Sequence, residues 1–214
     1  MNLFDIKLAR FALNFMFKVF YIDIKIKGID NIPDFGPVIV VSNHQSNLDP
    51  MILFNSFPRP LPFMTKKELF NIPVFSWIMK RVGNFPVKRG TVDRIAMDKA
   101  KELLQSDNAI CIFPEGTRSK TGEIGNFKSG VSYIWKNADC PVFLPVILNG
   151  SIDLLHRGEF IPRPCKVDVV FGKVIKIEQS MWDDNNKKES AAKIALLLEE
   201  KIREMYISSK GFNI

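Results

Sequence analysis

The apolar positions of this chain fall into two periodicities. The first appears in "LFDIKLARFALNFMFKVFYI" (3–22), where Lys7, Arg10, Asn14 and Lys18 recur every three or four residues. That spacing predicts one helix with a narrow polar stripe and an otherwise apolar circumference, rich in phenylalanine at 4, 11, 15, 17 and 20. A membrane span needs about 20 apolar residues, and the three cations interrupt the run. The pattern instead fits a helix lying in the membrane interface, phenylalanines toward the acyl region and cations toward headgroups. A terminal helix packed on the protein's own core is the other reading.

From residue 37 onward, short apolar runs alternate with helical patterns, the signature of an α/β domain. "PVIVV" (37–41), "AICIF" (109–113) and "PVFLPVIL" (141–148) read as buried strands. "KVDVVFGKVIKI" (166–177) alternates and is expected to be a hairpin or sheet edge. Helices are predicted from "DPMILFNSF", with Asp49 as cap and Pro50 in the first turn, at 92–105, and at 187–206. The segments "PEGTRSKTGE" and "EQSMWDDNN" are polar loops. The expected fold is therefore α/β: a single domain with a central mixed sheet flanked by helices, preceded by the amphipathic N-terminal helix. Residues 1–27 are assigned to that membrane-associating segment and 28–214 to the domain.

Charge sharpens the picture. The chain has 30 Lys/Arg and 23 Asp/Glu, and residues 59–101 hold ten of the bases but three of the acids. The whole net charge of +7 thus sits in that one segment, which favours an anionic partner such as phosphate or acidic lipid. A solvated basic face is the plainer explanation. Nucleic acid is not expected, because neither a helix-turn-helix pattern nor an aromatic RNA-binding signature accompanies the charge. Cys111, Cys140 and Cys165 lack metal-ligand spacing and suggest a reducing compartment. No signal peptide is expected.

Candidate chemistry begins at "NHQSNLD" (43–49). Residues five apart on one helix point about 140° apart, so His44 and Asp49 can cooperate only across a turn that leads into a helix. In that arrangement the carboxylate would fix the imidazole tautomer and leave the other nitrogen free to take a proton. The plainer reading makes Asp49 an N-cap and His44 a loop residue. In "VGNFPVKRG" (82–90), Lys88 and Arg89 lie between glycines, and arginine forks onto phosphate oxygens. In "FPEGTRSKTG" (113–122), Glu115 can accept from hydroxyls and Arg118 can pair with an anion, which suits a phosphorylated alcohol. A self-capped polar loop would look the same. A dinucleotide fingerprint, a P-loop, a zinc ligand set and a nucleophile elbow are all missing. Cys111 reads as core and His156 as structural.

Taken in order, these motifs resemble the glycerolipid acyltransferase family. Its N-H-x-x-x-x-D hallmark is matched at 43–49, its glycine-to-arginine motif by "GNFPVKR" (83–89), and F-P-E-G-T-R-S residue for residue at 113–119. "FLPVIL" (143–148) is similar to the family's proline-centred strand, and "KKELF" (66–70) and "FKSG" (127–130) also look like family features. The likeness spans residues 28–177 and points to the bacterial 1-acyl-sn-glycerol-3-phosphate acyltransferases. Two positions depart from the pattern: Lys88 stands where many members carry an acid, and Pro86 interrupts a stretch that is usually apolar and extended.

The resemblance implies that His44, oriented by Asp49, deprotonates the 2-hydroxyl of lysophosphatidic acid, which attacks a thioester of coenzyme A or acyl carrier protein. It implies that Lys66, Arg89 and Arg118 hold the phosphate, that Glu115 and Gly116 meet the glycerol, and that Pro145 shapes the acyl-donor side. No metal or further cofactor is implied. The expected location is the cytoplasmic face of the membrane, peripheral or monotopic, against anionic lipids. Another lysophospholipid or an amino-acid lipid is an alternative acceptor, and a non-catalytic binder of acidic membranes is an alternative of a different class.

Overall fold

The computed structural model describes residues 3–88, 93–155, 159 and 161–210. Helix α1 covers Leu3–Val19. It stops short of the predicted end because Tyr21 takes a left-handed conformation, φ 52°, which breaks the helical hydrogen-bond run. The next six residues, "IDIKIK", form strand β1 (Ile22–Lys27). This strand lies within the 1–27 segment set apart above and pairs in parallel with β7 (Cys165–Phe171) of the domain.

The main sheet has the order β1-β7-β6-β2-β5. In it β2 is Val38–Ser42, β5 Ala109–Ile112 and β6 Val142–Asn149. All neighbours are parallel except β6 and β7, so the sheet is mixed, as expected. The 166–177 region is no edge: β7 lies between β1 and β6, and β1 forms the rim. Asp23, Lys25 and Lys27 charge that rim, and such charges discourage pairing with another chain.

Continuous apolar strands follow from burial of both sheet faces. Val38 and Val40 join Leu144, Val146 and Leu148 under α1 and under α2 (Asp49–Ser56). Ile39 and Val41 join Ile110, Phe143 and Ile147 on the other face. There they meet α4 (Arg94–Gln105), α5 (Gly130–Asn137) and α6 (Lys187–Lys210). Each such Val, Ile, Leu or Phe contributes about 1.5–3 kcal/mol through its burial.

The basic segment between α2 and α4 folds into β3 (Met64–Lys66), a 3-10 turn at Lys67–Asn71, α3 (Pro73–Arg81) and β4 (Phe85–Val87). Pro86 does not prevent strand formation. It sits exposed in a two-stranded parallel pair, opposite Thr65, where a missing N–H is tolerated.

Helix α1 packs on the core along one side and exposes apolar residues along another. Ile6 and Phe17 are buried against the core, while Leu8, Phe11, Phe15 and Val19 are exposed along another face. Arg10 departs from the expected headgroup orientation. Its guanidinium donates to the carbonyls of Phe57, Pro58 and Arg59 and lies over the Phe54 ring. The cation thus ties α1 to the C-cap residue of α2 and to the two residues that follow it. Among the described residues, no helix is long and apolar enough to cross a membrane.

Candidate active site

Strand β2 runs out at Ser42, and the turn that follows carries the functional residues into α2. Asn43 anchors the turn as an extra strand residue would: its Nδ2 donates to the Leu148 carbonyl at 2.9 Å and its Oδ1 accepts the Leu148 N–H at 2.8 Å. His44 Nδ1 then lies 2.8 Å from Asp49 Oδ2. The same oxygen accepts the N–H of Gln45 at 2.6 Å and of Ser46 at 2.7 Å. Asp49 therefore does not cap its own helix, where Leu48 holds the cap position. Three donors converge behind it, and the carboxylate turns back toward them. It is fully buried, so its charge meets those donors with little competition from water.

The loop after β5 locks the histidine in place. Glu115 Oε1 accepts the His44 N–H at 2.8 Å, Oε2 accepts the Gly125 N–H at 2.9 Å, and the Ser119 N–H donates to the His44 carbonyl at 2.7 Å. Phe113 stacks on the imidazole, with ring centroids 4.2 Å apart and planes 19° apart. Gln45 reaches across to the Gly122 carbonyl at 2.6 Å, and Tyr206 of α6 donates to that carbonyl too. Burial raises the Glu115 carboxyl above its ordinary range, and the two N–H donors partly oppose this. With Asp49 holding Nδ1, Nε2 is the nitrogen left to accept a proton.

His44 lines a cavity of about 630 Å³ together with Lys66, Arg118, Lys120, Leu69 and Asp153. Of the expected phosphate ligands, Lys66 and Arg118 are thus brought together beside the histidine. Arg118 makes no hydrogen bond or ion pair with the described residues, and Lys66 only faces Glu68 at 3.6 Å. Arg89 lies outside the described residues, as does His156. Of the described residues on either side, Asp93 accepts the Lys88 N–H at 2.8 Å while also capping α4. Those backbone donors hold the Asp93 carboxylate below its usual range.

Other expected contacts sit elsewhere. Glu115 does not line the cavity, since both its oxygens are engaged by backbone N–H groups. Gly116 is left-handed at φ 70°, and a Cβ there would meet Lys128 Nζ at 2.8 Å. Pro145 is buried within β6, opposite Val41, and its carbonyl accepts the Gly172 N–H. Cys111 is buried in β5, and that burial drives its thiol well upward. Lys120 was not anticipated, although its place two residues after Arg118 marks it as a cation of the same loop. Among the described residues, no cluster of His, Cys, Asp and Glu could hold a metal ion.

A serine-protease-like imidazole–carboxylate pair that, among the described residues, has no side-chain hydroxyl or thiol bonded to the imidazole, and that faces a cationic cavity, suits transfer to a hydroxyl that the substrate supplies. Residues 23–149 match the family model described as Acyltransferase. The chain belongs to the Acyltransferase family. Relatives within it include a probable 1-acyl-sn-glycerol-3-phosphate acyltransferase of Mycoplasma genitalium, 32% identical over 209 residues, 88% of this chain and 75% of that one. A 1-acyl-sn-glycerol-3-phosphate acyltransferase of Pseudomonas aeruginosa is 30% identical over 79% of this chain and 66% of its own length. The chloroplastic LPAT1 of Arabidopsis thaliana is 36% identical over 63% of this chain but is matched over only 38% of its length. Among solved structures, the acyltransferase PlsC of Thermotoga maritima shares the fold, with a TM-score of 0.74 at 23% identity, over 93% of this chain and 77% of that one.

Proposed function

We propose that this acyltransferase moves a fatty acyl chain from a coenzyme A or acyl carrier protein thioester to the 2-hydroxyl of 1-acyl-sn-glycerol-3-phosphate, giving phosphatidic acid. The observation that carries this reading is the His44–Asp49 pair opening into the same cavity as Lys66, Arg118 and Lys120. Its relatives' names point to the same acceptor.

In this mechanism Nε2 of His44 takes the proton of the acceptor hydroxyl as the oxygen attacks the thioester carbonyl. The Nδ1 proton stays on the imidazole and faces Asp49, whose charge stabilises the imidazolium. Collapse of the tetrahedral intermediate breaks the carbon–sulfur bond, and the imidazolium returns its proton to the departing thiolate. General-base help of this kind is worth about 10²–10⁴ in rate. Lys66, Arg118 and Lys120 hold the phosphate, with Arg89 assigned to it by its motif. Glu115 serves by holding the His44 backbone, Gly116 by giving Lys128 room, and Pro145 by fixing the sheet beneath the donor side. No metal or further cofactor enters.

The exposed apolar stripe of α1 supports work at a membrane surface with anionic lipids, and the three free cysteines support its cytoplasmic face. The test is acyl transfer from acyl-coenzyme A or acyl carrier protein to lysophosphatidic acid, wild type beside His44→Ala, with phosphatidic acid quantified. Wild-type product that vanishes in the variant is the expected outcome. Product retained without His44 overturns the mechanism, and transfer only to another lysolipid overturns the acceptor.

A further inference from the structure

The basic segment 59–101 supplies two cations to the cavity wall at most, so most of its excess charge has another use. Lys67, Lys80 and Arg81 are exposed on the 3-10 turn and on α3. Among them lie large apolar side chains that a soluble surface would not normally gather. Leu69, Ile72, Trp77 and Ile78 are all exposed, Trp77 by 58%. Trp135 and Trp182, in contrast, are exposed by 0% and 9%. Arg81 sits over the Trp77 ring at 4.4 Å and binds Asp5 of α1 at 2.8 Å. The apolar strip of α3 is therefore tied to the helix that carries the other exposed apolar strip. At its other end it reaches Leu69, which lines the catalytic cavity.

Tryptophan and basic residues mixed on one amphipathic element mark the level of lipid headgroups. We infer that the 67–81 segment is a second membrane-docking element. It seats Ile72, Trp77 and Ile78 at the headgroup–acyl boundary of an anionic bilayer, and it holds the cavity mouth at Leu69 and Lys66 against that surface. Lys67 and Lys80 supply the charge match to acidic headgroups, each worth more at low salt than at high. The acceptor then leaves the bilayer along an apolar lip that ends at the phosphate-binding cations. This deepens the proposed function and rests on its acceptor being a bilayer lipid.

Trp77 reports on its own surroundings, because the other two tryptophans are buried. The full chain and its Trp77→Phe variant are mixed with phosphatidylcholine vesicles, with and without phosphatidylglycerol, and emission is followed alongside co-sedimentation. The expected result is a blue shift that the variant lacks, quenching by lipids brominated in the acyl chains, and weakening of both by salt. Co-sedimentation with unchanged Trp77 emission overturns the proposal, as does failure to bind anionic vesicles.

The paired variant Ile72→Ser/Trp77→Ser gives a second arm. It should lose about tenfold or more in vesicle affinity and in transfer to vesicle-borne lysophosphatidic acid. Its rate on a short-chain acceptor below the micelle concentration should stay unchanged, and equal losses on both acceptors overturn the docking role. Vesicle docking by a protein that acylates neither acceptor upholds the inference and removes the proposed substrate instead.

Discussion

Replacing Asp49 by asparagine keeps the side chain's shape and removes its charge. In the wild type one oxygen accepts three N–H groups, from the His44 ring and from Gln45 and Ser46, at 2.6–2.8 Å. Asparagine can present one oxygen to the same donors, so the turn should survive. Each of the two backbone bonds falls from a charged to a neutral acceptor, a loss of about 1 kcal/mol apiece, partly offset because a buried charge is no longer desolvated. For a chain of this size the melting temperature should fall by less than about 6 °C.

The catalytic loss should be larger. An imidazolium and a carboxylate whose charge centres are about 4 Å apart attract by about 4 kcal/mol at an effective dielectric near 20. Losing that attraction in the transition state corresponds to about 10³ in rate. The assay is phosphatidic acid formation under saturating acceptor and donor, paired with a circular-dichroism melt. A folded Asp49→Asn enzyme with kcat reduced 10²–10⁴-fold and KM nearly unchanged fits the mechanism. A folded variant whose kcat lies within about threefold of wild type refutes it.

Removing the cation in Arg118→Ala should raise KM for lysophosphatidic acid about tenfold or more, since a charge-assisted contact is worth about 1.5–3 kcal/mol; unchanged kinetics would sink the phosphate assignment. Glu115 has a folded pKa above its unfolded value. Its contribution to stability is therefore greatest below the unfolded pKa and is lost as pH rises through the folded one. The stability gap between wild type and Glu115→Gln, read by urea unfolding, should narrow from acid toward neutral pH, and a widening gap means the two backbone bonds outweigh burial. Gly28 is left-handed at φ 70°, and a Cβ there would lie 2.1 Å from the Phe171 carbonyl oxygen. Gly28→Ala should cost about 2 kcal/mol or more, seen as a lower melting temperature, whereas an unchanged melt would show that β7 yields freely.

The strands legible in the sequence were those buried on both faces, because an uninterrupted run such as "PVIVV" has few other places to go. Strand β1 was hidden by its neighbour. The alternation of Ile22, Ile24 and Ile26 is a clear strand signal, but it abuts a helical pattern, and only a left-handed Tyr21 separates the two. The elements of 64–87 are short and take their order from contacts with β5, such as the bridge between Phe63 and Cys111. No local period announces them. At the site, residue types revealed the His44–Asp49 pair, since its chemistry needs a turn. The working partner of Glu115 was not legible. A carboxylate beside a glycine and an arginine looks built for a ligand, and only the fold shows it holding the backbone of a residue 71 positions away.

Arg10 has a practical consequence for anyone who edits this chain. Helix α2 is 8 residues long, about 12 Å from end to end. The arginine holds the carbonyls of Phe57, Pro58 and Arg59, the residues that follow its C-terminus, and Asp49 is its first residue. A truncation at residue 22 would free the three carbonyls just past the far end of the catalytic helix, so lost activity would say nothing about where the protein resides. Helix α1 and the catalytic helix are one mechanical piece. Separating their contributions calls for single changes on the outer face, such as Phe11→Ser or Phe15→Ser, which leave the Arg10 contacts standing.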